Sequence, residues 1–185
     1  MREWRPTKEQ LAAAAGSILP DVLAPHLDVV FCGINPGLWS GAVGHHFARP
    51  GNRFWKVVHG AGFTDRVLSP FEERELLARG VGLTNLVARA TAHAAELTSD
   101  ELRGGARRLA AKVRCLRPEY VAFVGLGAYR TAFDRPRATV GPLPDGVGGS
   151  RAWLLPNPSG LQAHYQLPEL TALFADLREA AAARR

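Results

Sequence analysis

Four short apolar runs constrain this chain more than any other feature. They are Val29 to Cys32, Val81 to Leu86, Tyr120 to Val124 and Ala152 to Leu155. Bounded by turn residues, runs of this length read as buried strands. Helix-patterned stretches lie between them, and this alternation specifies an α/β fold. We expect a three-layer α/β/α sandwich around a mainly parallel, four-stranded central sheet. Ligands bind such sheets beyond the carboxyl ends of the strands. Two runs break directly into elaborate turns: Gly33-Ile34-Asn35-Pro36-Gly37 after the first, and Pro156-Asn157-Pro158-Ser159-Gly160-Leu161 after the last. Both turns therefore belong on one sheet edge.

Helix starts are marked by three capping boxes, Thr7 to Gln10, Ser69 to Glu72 and Thr98 to Glu101. The second has Pro70 at its first helical position and should run to about Arg79, ahead of Gly80. Asn52 can cap a helix carrying Phe54, Trp55, Val57 and Val58. The third box opens the clearest helix: Leu102, Ala106, Leu109, Val113 and Leu116 form one apolar stripe, ended by Pro118. Arg103, Arg107, Arg114 and Arg117 form a neighbouring stripe, read as a solvated face or as a patch for phosphates. Gly104-Gly105 inside this helix costs about 1 kcal/mol per glycine relative to alanine, so close approach of another backbone is expected there. Gly125-Leu126-Gly127 reads as a plain strand-to-helix turn, Gly141 to Gly149 as a surface loop, and Pro168 to Ala182 as the last helix.

With 185 residues, 46% of them hydrophobic, the chain suits one domain, residues 1–185, with a short N-terminal helical extension over about residues 1–25. A chain of this length buries about 70% of its unfolded surface. No apolar stretch approaches the roughly 20 residues of a membrane span. The segment MREWRPTKEQ lacks the apolar core of a secretion signal. Cys32 and Cys115 have neither metal-ligand spacing nor a disulfide framework, and both read as buried packing residues of a reduced, cytoplasmic protein. Twenty-three Lys and Arg against seventeen Asp and Glu give a formal charge of +6, which favours a polyanionic partner.

Asn35 stands where a rigid turn would hold a working group. An asparagine has no pKa near neutrality and cannot serve alone as a general base. Gly-rich turns after strands also bind phosphates, but neither G-x-G-x-x-G nor G-x-x-x-x-G-K-[ST] occurs in this sequence.

Three segments taken together are far more specific: GINPGLWSGAVGHHFARPGNRFWKVVHGAGFT, LTNLVARAT and LPNPSGL. They resemble the mismatch-specific uracil and thymine DNA glycosylases. The resemblance runs from about Asp28 to Arg178 and is strongest in Phe31–Thr64 and Leu155–Leu161. It implies that a base leaves the stack and enters a pocket, where its N-glycosidic bond breaks by dissociation. In that chemistry Asn35 holds a water beneath the anomeric carbon, and positioning replaces basicity. Phe47 is implied as the stacking platform for the flipped base, and His45 or His46 as a donor to base or phosphate. Ile34, Gly37, Ser40, Asn85, Thr91 and Asn157 are expected to complete the base pocket, with Trp39 and Ser40 forming its wall near the pyrimidine C5. Leu161 is implied as the wedge that fills the vacated stack. Gly160 and Gln162 would contact the opposite guanine, and Ser159 a backbone phosphate.

The sequence departs from its relatives in two places. Ala163 stands where some carry an arginine beyond the wedge, which implies weaker grip on the duplex. Asn157 replaces the histidine of classical uracil-DNA glycosylases, which implies slower turnover. The expected activity is monofunctional excision of uracil mispaired with guanine, with thymine and other C5-modified or exocyclic-adduct pyrimidines as further candidates. Double-stranded DNA is the expected partner of a monomeric enzyme that needs no cofactor or metal and contacts no membrane. Iron–sulfur glycosylases need four cysteine ligands, and this chain has two. The rival reading is a non-catalytic nucleic-acid or nucleotide-binding module. Convergence of Asn35, Phe47 and Asn157 on one pocket beside Leu161 would separate the two.

Overall fold

A computed structural model describes residues 5–160 and 164–183. The four apolar runs form strands β1 (Val29–Gly33), β2 (Val81–Asn85), β3 (Tyr120–Val124) and β5 (Arg151–Leu155), all mutually parallel. The sheet has five strands where the sequence predicts four. The fifth, β4 (Gly141–Pro142), pairs antiparallel with the edge of β5. A two-residue strand of glycine and proline carries no apolar signal, and an edge is where a strand proline is tolerated. The strand order is β2-β1-β3-β5-β4.

Alternating residues of each strand feed two cores, as the period of two requires. Phe31, Ala122, Val124, Trp153 and Leu155 face α3 (Phe54–Gly60) and α6 (Leu167–Ala182). Cys32, Val121, Phe123, Ala152 and Leu154 face α4 (Ser99–Leu116) and α5 (Leu126–Ala132). The expected three layers are thus present. Each expected capping box is formed, at Thr7 for α1 (Lys8–Ala13), at Ser69 and at Thr98. The segment after Ser69 winds as a 3-10 helix over Pro70–Arg79.

On α4 the buried stripe is Leu102, Gly105, Ala106, Leu109 and Val113. The arginines at 103, 107, 114 and 117 are exposed. Cys32 is buried but Cys115 is exposed, contrary to the sequence expectation. Position 115 lies two residues beyond Val113 and so turns away from the stripe.

The N-terminal stretch is stitched to the sheet. Val22 and Leu83 exchange backbone hydrogen bonds of 2.9 and 2.8 Å, and Leu19 donates to Ala88 O at 3.1 Å. This pairing covers the outer edge of β2, which would otherwise expose unpaired backbone groups. Lys112 of α4 forms an ion pair with Asp21, and the Thr84 hydroxyl donates to the same carboxylate at 2.6 Å.

Candidate active site

The strand order reverses between β1 and β3, which is where open α/β sheets bind ligands. A cleft of about 680 Å³ lies there, lined by the turns after β1 and β5. Asn35, Phe47 and Asn157 all face this one cleft, with Ile34, Gly37, Ser40, His46, Asn85, Thr91 and Ser159. Gly160 packs its backbone against the Gly51 segment: a Cβ there would lie 2.7 Å from Gly51 O. Leu161 and Gln162, and Ala163 after them, lie outside the described residues.

Asn35 is held by one edge of its amide. Nδ2 donates to Thr91 Oγ1 at 2.7 Å, to Arg89 O at 3.1 Å and to Pro36 O at 3.2 Å. Two of these partners are backbone carbonyls, which only accept, so the amide cannot be turned over. The Thr91 hydroxyl is directed by its own donation to His93 O at 2.9 Å, which leaves its lone pair for Asn35. Thr91 N also donates to Pro36 O at 3.1 Å, tying the second segment to the first turn. The carbonyl edge, Oδ1, is the edge left for a ligand.

Phe47 has φ of +51°, a left-handed conformation unusual for a bulky residue. Such strain, about 1–2 kcal/mol, persists where the surroundings fix the residue. Here Phe47 stacks on Phe54 with ring centroids 3.9 Å apart and planes 13° apart. Phe54 is wholly buried on α3, whose N-cap is Arg53 rather than the expected Asn52; Asn52 Oδ1, one residue further out, still accepts from Phe54 N at 2.9 Å. One face of Phe47 is thus backed by the core while its ring lines the cleft.

His46 is 2% exposed, and both its ring nitrogens are engaged within the protein. Nε2 lies 3.0 Å from Pro20 O, an obligate acceptor, so Nε2 carries the proton. Nδ1 is then an acceptor, 3.4 Å from Asn85 Nδ2. This turns Asn85 Oδ1 over Gly33, where a Cβ would approach it to 2.4 Å. Glu73 clamps the segment from below: it accepts from His46 N at 2.8 Å and meets His45 Nδ1 at 2.9 Å. The His45 ring also packs edge-on against Phe71. Ser40 Oγ accepts from Ala48 N at 3.1 Å, closing the loop on the other side of Phe47.

Burial holds the His46 pKa below its ordinary 6.5, outweighing the attraction of the Glu73 charge, with Asp21 favouring and His45 opposing the proton. Unfolded, His46 takes its proton near 6.5; folded, it resists until lower pH. Between those values the unfolded chain binds more protons, so stability rises with pH. The His46 contribution is fully present above about pH 6.5 and is lost as pH falls towards the folded pKa. Urea midpoints measured from pH 7.5 to 5.0 should fall on the acid side, and His46→Gln should flatten that slope.

Asn157 Oδ1 accepts from Ser159 N at 3.0 Å, an Asx turn that shapes the loop after β5. The helix α2 (Leu38–Val43) was not anticipated, and it carries Trp39 and Ser40 into the cleft wall. Leu11 and Leu19 from the N-terminal stretch also line the cleft, as do Arg49 and Asn52. Their sequence context gave no sign of this, because each reaches the cleft through tertiary packing. Among the described residues no aspartate, glutamate or lysine lines it.

Comparison with known proteins agrees with this architecture. The solution NMR structure of a proposed uracil DNA glycosylase from Methanosarcina acetivorans matches with a TM-score of 0.55. The two share 18% identity, over 88% of this chain and 98% of that one, so the likeness speaks for the fold. The family model described as the Uracil DNA glycosylase superfamily matches residues 20–180, a span containing every described residue of the cleft except Leu11 and Leu19. A match of that extent, over a cleft built around a fixed asparagine, places the chain in the uracil DNA glycosylase superfamily.

Proposed function

We propose that the protein excises uracil from DNA and prefers uracil mispaired with guanine. Family membership supports uracil excision; the preference rests on the GINPG, GHHF and LPNPSGL resemblance. The observation that carries the catalytic reading is the locked amide of Asn35, whose Oδ1 faces a cleft with no carboxylate among its described lining residues. An amide oxygen cannot deprotonate water early. It can hold water where positive charge develops on the sugar as the base leaves as an anion. Phe47 supplies the stacking face for the extruded base, Asn85 and Asn157 its polar surroundings, and the exposed Arg49 positive charge at the mouth. The loop after β5 then enters the duplex with Leu161 as wedge. The absence of lysine among the described lining residues supports hydrolysis without a Schiff base.

The test incubates the protein with a duplex oligonucleotide carrying U opposite G, then cleaves abasic sites with alkali. Strand breaks at the uracil position are expected, fewer with U opposite A. No break with enzyme in stoichiometric excess would overturn the catalytic reading in favour of a binding module. Thymine, ethenocytosine and oxidised 5-methylcytosine opposite guanine complete the panel. Each probes the Trp39–Ser40 wall, where one methyl group changes selectivity by about 1–3 kcal/mol.

A further inference from the structure

Arg53 is the residue on which two parts of the site meet, and nothing in its sequence context marks it. It immediately precedes α3. Its backbone N donates to Pro158 O at 3.1 Å. Its side chain also donates to three backbone carbonyls among the described residues: Nε to Pro158 O at 3.3 Å, Nη2 to Ser159 O at 3.0 Å and Nη1 to Tyr165 O at 2.6 Å. Ser159 and Tyr165 flank residues 160–164. One guanidinium therefore grips both ends of the loop after β5. The next residue, Phe54, backs the Phe47 ring at 3.9 Å. Adjacent residues thus fix the stacking platform and the loop relative to each other.

We propose that Arg53 is a positioning residue that sets the two ends of this loop, Pro158–Ser159 and Tyr165, at a fixed distance from the Phe47 platform, so that a base can be extruded and its place filled in one geometry. This rests on the reading of the loop as the duplex-entering element. The planar fork is what the task requires. Three carbonyls lie along its edges, and a lysine ammonium, whose three donors share one nitrogen, cannot span them as the guanidinium fork does.

The experiment compares Arg53→Met and Arg53→Lys with the native protein in single-turnover excision on two substrates: a G:U duplex and the same uracil within an unpaired bubble. If Arg53 positions the loop, both variants lose about 10- to 100-fold on the duplex, the usual cost of misplacement by about an ångström. On the bubble, where the base is already unstacked, the loss stays within about threefold. Equal losses on both substrates, or none on the duplex, would overturn the proposal. Hydrogen exchange decides the matter without activity. Arg53→Met should speed exchange at the amides of residues 159–165 at least tenfold and leave α5 unchanged, and unchanged exchange in the loop overturns it. If the native protein cuts neither substrate, it is the glycosylase reading that fails, and the exchange result still judges the clamp.

Discussion

Replacing Asn35 by alanine removes excision, with the single-turnover rate on G:U duplex falling by about 10²–10³-fold or more, the range for losing one preorganised polar group at a reacting centre. Binding to DNA carrying an uncleavable abasic analogue is retained, because phosphate contacts dominate affinity and the Asn35 amide is neutral. Thr91→Val is the graded companion. It deletes the 2.7 Å acceptor but leaves Arg89 O and Pro36 O to hold Nδ2. Loss of one hydrogen bond of about 1–1.5 kcal/mol predicts a rate about tenfold lower. The order native, Thr91→Val, Asn35→Ala is the signature of positioning. An Asn35→Ala enzyme with full activity would mean that another group holds the water.

The place of Asn35 at the cleft is legible because everything that announces the turn is contiguous: an apolar strand, a glycine, an asparagine, a proline, a glycine. Phe47 was legible as an aromatic in the GHHF string, yet its left-handed backbone and its stack on Phe54 were not, since both depend on how the loop closes on α3. The three capping boxes were read correctly for the same local reason as Asn35. Arg53 shows the opposite case. The partners at Pro158, Ser159 and Tyr165 stand more than 100 residues away and are main-chain carbonyls, so no side-chain pattern could reveal them. The helix α2 was hidden by its own composition, with Gly37 capping it and Gly41 inside it. Gly41 is needed there because a Cβ would meet Ala90 Cβ and Ser17 Oγ at 2.7 Å. Edge pairing by residues 16–22 was equally silent, because this stretch carries a glycine at 16 and a proline at 20 and no run of strand-forming residues.

Gly105→Ala is expected to destabilise the protein by about 3 kcal/mol, while Gly104→Ala, one residue earlier, stabilises it by about 0.5–1 kcal/mol. The sequence treats the two glycines alike; the packing does not. A Cβ on Gly105 would fall 2.2 Å from Leu86 O and 2.8 Å from Leu86 C, both main-chain atoms that cannot swing aside. A Cβ on Gly104 meets only the ends of Arg108 and Arg107 side chains, at 3.3 and 3.8 Å. For a chain of this length each kcal/mol shifts the melting temperature by about 2–4 °C, so calorimetry should find Gly105→Ala lower by roughly 6–12 °C. Leu86 is also the link to the site: its N donates to Gly33 O at 2.9 Å, and Val87 N to Ile34 O at 3.0 Å. Pushing α4 outward drags on the turn that carries Asn35 and on the Arg89 carbonyl that holds it. Gly105→Ala should therefore lose excision activity even at temperatures where it remains folded. Equal melting temperatures for the two variants would mean that α4 does not approach the Leu86 backbone this closely in solution.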